Sequence, residues 1–292
     1  PLIVHIARME DLEKIVTGVP KKAKILAEAC WPGPLTMILP KSEEVPYETT
    51  GGLDSVAVRY PSHPVAQALI LAAGGFVAAP SANTSGRPSP TTAAHVQEDL
   101  TGAVDMILDG GQVGIGIEST IVDFTEKIPT VLRPGYISLE KLKELLGEVK
   151  MDKGLLRADA SQRPKAPGMK YRHYAPKAEL TIVEGSTEYV VAYINQKAKE
   201  ASKRGRQIGI IGTEETFPYY SSGVVRCIGS RKKEEGIALH LYEVLRDFDQ
   251  CEVEAIYSES FDTPKMGQAI MNRLLKAAGH RVVQAEKKIN DR

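Results

Sequence analysis

Gly75-Phe76-Val77-Ala78-Ala79 runs directly into Pro80-Ser81-Ala82-Asn83-Thr84-Ser85-Gly86-Arg87-Pro88-Ser89-Pro90-Thr91. The first five residues are a short apolar run of the kind that forms a buried strand. The next twelve interleave serines and threonines with Asn83, Gly86, Arg87 and three prolines. Neither helix nor strand tolerates that composition, because proline and glycine punctuate it too often. The reading is a strand that empties into a rigid, hydroxyl-rich loop. Pro80, Pro88 and Pro90 fix φ at their positions, so the donors of the loop are preset. Such a loop suits a ligand with many acceptors, such as a nucleotide phosphate or ribose. A surface turn with capping serines is the plainer alternative.

Outward from this stretch, short apolar strands alternate with helical spacing. Strands are expected at Pro1–Ile6, Met37–Pro40, Ser55–Tyr60, Ile117–Asp123 and Thr130–Pro134. Helices are expected at Met9–Val16, Lys21–Cys30, Val65–Ala73, Thr92–Leu100 and Leu139–Leu146. In Ser55–Tyr60, Val56 and Val58 share one face while Ser55, Ala57 and Arg59 share the other. Several strands are joined by short turns, which favours a mixed over a purely parallel sheet. Between Gly147 and Pro176 the composition shifts to Lys, Arg, Pro and Gly without a hydrophobic period, yet it ends in PGMKYRHYAP, too rich in Tyr, Arg and His for a spacer. The second half then reads as a small βαβ-type domain. Its expected strands are Leu180–Val183, Gln207–Ile211, Val224–Ile228 and Ala255–Tyr257; its helices are Tyr189–Ser202, Gly236–Phe248 and Gln268–Ala278. No GxGxxG opens a helix there, which argues against a dinucleotide site. The expected layout is a domain over 1–147, a linker over 148–176 and a second domain over 177–292.

Composition narrows the function. Lys plus Arg and Asp plus Glu are 37 each in 292 residues, so a generic polyanion binder is disfavoured, although a local basic patch is not. Cys30, Cys227 and Cys251 lie far apart, which disfavours a disulfide framework or structural zinc and fits a reducing cytoplasm. No apolar run approaches the ~18 residues of a membrane span. Pro1-Leu2-Ile3-Val4-His5-Ile6 has the character of a mid-domain strand, and a preceding segment is expected.

The polar residues gather where strands stop: His5, Ser55 with Arg59, the loop with Ser81, Asn83 and Ser89, then Glu118-Ser119-Thr120, and Arg133. Ligands bind at strand ends in open α/β sheets, and arginine holds a carboxylate or phosphate through two parallel bonds. Singly, each has a duller reading: an exposed histidine, a surface ion pair, a turn. There is no GxSxG, no cysteine beside a base and no Walker loop, so an ATP enzyme here works by positioning and electrostatics.

In order, PLIVHI, WPGPLT, SVAVRYPSHP, AAPSANTSGRPSPT, ESTIVD and LRPG resemble the YrdC-type domain of the threonylcarbamoyl-AMP synthases. PGMKYRHYAP and GQAIMNRLLKAA resemble the longer two-domain members. The resemblance implies a YrdC-like twisted mixed sheet with surrounding helices over 1–147, a linker acting as a lid over 148–176, and a smaller Rossmann-like βαβ domain over 177–292. It implies condensation of L-threonine, bicarbonate and ATP to threonylcarbamoyl-adenylate and pyrophosphate, with Mg²⁺ accompanying ATP. The product would go to the tRNA-modifying threonylcarbamoyl transferase machinery. By the resemblance, His5, Arg59, Ala79 and Ser119 hold L-threonine, and Ser55, Ser81, Asn83, Ser89 and Arg133 hold ATP. Tyr171, Arg172, His173 and Tyr174 form the lid. The family's opening strands and their Lys-x-Arg signature precede the run that matches PLIVHI. Two rivals stay open: a carbamoyl-adenylate-forming enzyme of the hydrogenase-maturation type, and an RNA-binding YrdC-like protein with a weak RNA contact, which zero net charge disfavours.

Overall fold

The computed structural model describes residues 1–152, 155, 165, 173–261 and 266–286. The chain divides into two compact units, residues 1–81 with 118–170 and residues 82–117 with 171–292. The hydroxyl-rich loop, from Ala82 on, and the segment after it therefore pack with the C-terminal half.

The first unit is built on strands β1 (Ile3–Ile6), β2 (Leu35–Pro40), β3 (Ser55–Arg59), β4 (Phe76–Ala79), β5 (Thr120–Asp123), β6 (Thr130–Arg133) and β7 (Lys150–Met151). They form one seven-stranded sheet in the order β4-β1-β3-β2-β5-β6-β7. Pairing is mixed, as expected: β1–β3, β2–β5 and β6–β7 are parallel, while β1–β4, β2–β3 and β5–β6 are antiparallel. The helices are α1 (Leu12–Ile15), α2 (Lys21–Cys30), α3 (Tyr47–Thr50), α4 (Pro64–Ala72) and, after β6, α6 (Leu139–Leu146); α5 (Ala93–Leu100) belongs to the second unit. Pro64 opens α4, where its missing N–H costs nothing, and Ser138 caps α6 by accepting from the Lys141 amide at 3.3 Å.

Strand alternation gives the sheet two faces of unlike character. On one, Val4, Ile6, Met37, Leu39, Val56, Val58, Val122 and Val131 join Leu26 and Ala27 of α2 and Leu142 and Leu146 of α6 in the main core. On the other, among the described residues, Ile3, Ile38, Ala57, Ile121 and Leu132 form a smaller apolar cluster. That second face also carries buried polar side chains, Thr36 and Arg133.

The second unit carries β8 (Glu179–Glu184), α7 (Thr187–Lys203), β9 (Gly209–Gly212), β10 (Val224–Cys227), α8 (Glu234–Asp247), β11 (Ala255–Glu259), α9 (Gly267–Ala277) and β12 (Val282–Gln284). The five strands pair wholly in parallel, in the order β10-β9-β11-β8-β12. This is the expected Rossmann-like arrangement of strands and crossover helices. The edge strands β7 and β12 and the single turn α3 have no signal in the sequence, being too short to show a period.

Segment 82–117 joins this unit through close backbone packing. Gly116 has φ +84, and a Cβ there would lie 2.3 Å from the Leu239 Cα of α8. Only glycine permits both the left-handed backbone and that approach. The neighbouring Ile117 packs into the core with Tyr174, Ile237 and Ala238. The remaining helix, α5, is capped by Thr92, whose side chain accepts from the His95 amide at 3.3 Å.

Candidate functional site

The polar groups of the first unit lie in one row across the second face. Registered pairing links His5 of β1 to Arg59 of β3, Arg59 to Thr36 of β2, Thr36 to Ile121 of β5, and Ile121 to Arg133 of β6. Partners in register place their side chains on the same face. A bulge in β6 sets Leu132 and Arg133 against Ile121, and that extra residue returns Arg133 to the row. Ala79, opposite Ile3 on β4, and Ser55, opposite Pro40 on β2, lie on the same face one and two rows away.

Ser119 precedes β5 by one residue; the expected strand starts three residues too early. It is 2 % exposed, and three hydrogen bonds from two residues converge on it. Its hydroxyl lies 2.7 Å from the Thr36 hydroxyl, and Arg133 donates from Nε to its carbonyl and from a terminal nitrogen to its hydroxyl, both at 3.0 Å. Gly135 makes this possible: a Cβ there would lie 2.5 Å from the Thr120 amide and 2.8 Å from the Glu118 carbonyl. The glycine of LRPG thus lets the chain after β6 lie against Glu118-Ser119-Thr120. Sequence reasoning misses Thr36. Its only signal is a threonine inside the apolar run LTMILP, a position where a buried hydroxyl needs a partner.

Arg59 donates from Nε to the Gly33 carbonyl at 3.3 Å, and among the described residues no carboxylate pairs with it. Burial first, and the charge of Arg133 second, push its pKa down to about 10. His5 is pushed down to about 4, by burial first and by Arg59 second, against backbone hydrogen bonds at Val77 and Ile3. At neutral pH the row therefore holds two nearby guanidinium cations and a neutral imidazole. Cations gathered in partly desolvated surroundings favour an anion, while a neutral imidazole offers one donor and one acceptor.

The structure brings His5, Arg59, Ser119 and Arg133 together, with Ala79 and Ser55 on the same face. Ser81 is exposed at the end of the first unit's share of the loop. Asn83 and Ser89 belong to the second unit. There the Asn83 amide nitrogen braces its own loop, donating to the Thr84 and Arg87 carbonyls at 3.0 and 3.2 Å, and Ser89 is buried. Tyr171 and Arg172 lie outside the described residues. Tyr174 is buried with its ring 5.0 Å from that of Tyr242 and 5.7 Å from that of His173, so the linker's end is anchored in the core of the second unit. In the first unit, Lys165 of the linker pairs with Asp123 at the end of β5 at 2.8 Å. Among the described residues no group of three His, Cys, Asp or Glu side chains could hold a metal ion, and no helix is long and apolar enough to cross a membrane.

Fold and row define an α/β protein whose mixed sheet gathers two arginines, Arg59 and Arg133, on one face. Comparison with known proteins narrows this class. The family model described as "Telomere recombination" matches residues 1–135, and the one described as "Threonylcarbamoyl-AMP synthase, C-terminal domain" matches residues 137–279. A threonylcarbamoyl-AMP synthase of Bacillus subtilis is 47 % identical over 97 % of this chain and 81 % of its own length. That of Pyrococcus abyssi is 44 % identical over 97 % of this chain and 82 % of its own. The crystal structure of P. abyssi Sua5 complexed with L-threonine matches with a TM-score of 0.91 at 43 % identity, over 98 % of this chain and 82 % of that one. The chain belongs to the threonylcarbamoyl-AMP synthase family, in its two-domain form.

Proposed function

We propose that the chain condenses L-threonine, bicarbonate or CO2, and ATP to threonylcarbamoyl-AMP and pyrophosphate, which supplies the tRNA-modifying threonylcarbamoyl transferase machinery of the cytoplasm. The row of His5, Arg59, Ser119 and Arg133 on one sheet face carries this reading. Arg59 takes the threonine carboxylate, because its guanidinium has no carboxylate partner among the described residues and two donors suit a carboxylate. His5 and Ser119 take the threonine hydroxyl: a neutral imidazole and an alcohol can each donate to it or accept from it. Ala79 contributes backbone only. Ser55, Ser81, Asn83, Ser89 and Arg133 are proposed contacts of ATP, with Mg²⁺ arriving on the triphosphate as part of that substrate. His173 and Tyr174 are proposed lid residues.

The chemistry has two steps. The neutral amine of threonine forms a C–N bond to carbon dioxide and loses a proton, giving a carbamate. A carbamate oxygen then forms a P–O bond at the α-phosphorus while the bond to the β-phosphate oxygen breaks, and pyrophosphate leaves. Charge builds on the phosphate oxygens, and fixed cations lower that barrier without covalent catalysis. Arg133, held by two bonds to Ser119, loses little freedom when it meets such charge. The test is pyrophosphate release from ATP by the full-length protein, with and without L-threonine and bicarbonate. Release that needs both supports the reading; release that ignores threonine would refute it.

A further inference from the structure

We propose that Arg246 of α8 and Asp99 of α5 are positioning residues for nucleotide binding, through a clamp that sets the backbone of the hydroxyl-rich loop. The proposal rests on the reading that this loop, through Asn83 and Ser89, contacts ATP. All of the clamp lies within the second unit.

Arg246 lies in the last turn of α8 with its side chain 3 % exposed, and the Asp99 side chain is fully buried. One terminal nitrogen of Arg246 donates to Asp99 Oδ2 at 2.7 Å and to the Pro88 carbonyl at 2.7 Å. The other donates to Asp99 Oδ1 at 3.2 Å. Asp99 Oδ2 also accepts the Thr84 amide at 3.3 Å. A single guanidinium–carboxylate pair thus grips the loop at Thr84, next to Asn83, and at Pro88, next to Ser89. Arg87, between the two grips, pairs with Asp99 and with Glu98 and Asp249. The Gly86 carbonyl accepts the Ala175 amide at 2.9 Å, which ties the same loop to the end of the linker.

Burial makes the geometry specific. A buried ion pair adds little net stability over apolar packing, but its directional bonds fix orientation, and losing one partner leaves an uncompensated charge. The groups of the clamp all lie in the second unit, and the residues proposed to hold threonine (His5, Arg59, Ala79 and Ser119) all lie in the first. The effect of losing Arg246 is therefore directed at the nucleotide and spares threonine.

Calorimetric titration of the full-length protein with the magnesium complex of a non-hydrolysable ATP analogue, and separately with L-threonine, tests this. Arg246→Met is expected to weaken the nucleotide analogue by about tenfold or more while threonine affinity stays within about twofold. Arg246→Lys, which keeps the charge and loses the fork, is expected to fall between. If Arg246→Met does not fold, Asp99→Asn carries the same test, since it keeps the side-chain shape and weakens both grips. Hydrogen exchange at the amides of 84–89 is expected to speed up in each variant. A folded variant that binds the analogue as tightly as the wild type overturns the proposal, as does equal weakening of both ligands. A wild-type protein that binds no nucleotide overturns the proposed function as well.

Discussion

Replacing Arg59 with methionine should stabilise the protein without substrate and at the same time abolish its hold on threonine. The guanidinium is pushed down from its ordinary value to about 10 by burial and by Arg133. That difference corresponds to about 3 kcal/mol of cost carried by the charged side chain in the folded state. Methionine removes the charge but also the bond from Nε to the Gly33 carbonyl, a loss of about 1 kcal/mol. Solvent screening at this half-buried position trims the gain further, leaving about 1–2 kcal/mol. For a chain of this size that is a rise in the melting midpoint of roughly 2–8 °C. Two charge-assisted bonds to a carboxylate contribute about 3 kcal/mol or more, so threonine should bind at least about 100-fold more weakly. Scanning calorimetry without substrate and threonine titration read the two effects separately. A lower midpoint together with less than a tenfold loss in threonine affinity would refute the reasoning, because Arg59 would then be a structural cation.

The other expectations concern single groups. His5 has a folded pKa of about 4 against 6.5, so between those values the unfolded chain binds a proton that the folded one does not. Stability should fall as pH drops through that window, and His5→Asn should flatten the slope in urea titrations at a series of pH values. Ser119→Ala removes the hydroxyl shared by Thr36 and Arg133 and should cost about 1–3 kcal/mol of stability. It should also raise the KM for L-threonine more than that for 2-aminobutyrate, which lacks the hydroxyl; an equal rise for both would remove Ser119 from hydroxyl recognition. Gly116→Ala meets the α8 backbone at 2.3 Å with φ +84 and should lower the urea midpoint by an amount equivalent to about 3 kcal/mol or more.

The amino-acid sequence by itself determined the elements that carry a strong period and the residues that punctuate them. Helices α2, α6, α7, α8 and α9 and strands β2, β3 and β8 fall within a few residues of their expected places, because apolar spacing is a local property. The candidate residues were legible as residue types at strand ends. That Ser55, Ala57 and Arg59 share a face opposite Val56 and Val58 followed from the two-residue repeat alone. Tertiary structure decided what brings His5, Arg59, Thr36 and Arg133 into one row. Strand order and register between residues far apart in sequence set that row, and a bulge invisible in TVLRP completes it. Thr36 became a site residue only through its contact with Ser119, which lies 83 positions away. The placement of residues 82–117 with the second unit was likewise beyond the sequence. It depends on the fit of Gly116 against α8 and on the Asp99–Arg246 pair, whose partners are separated by 147 positions. Periodicity reports which face of an element is apolar; only the folded chain selects the surface that covers it.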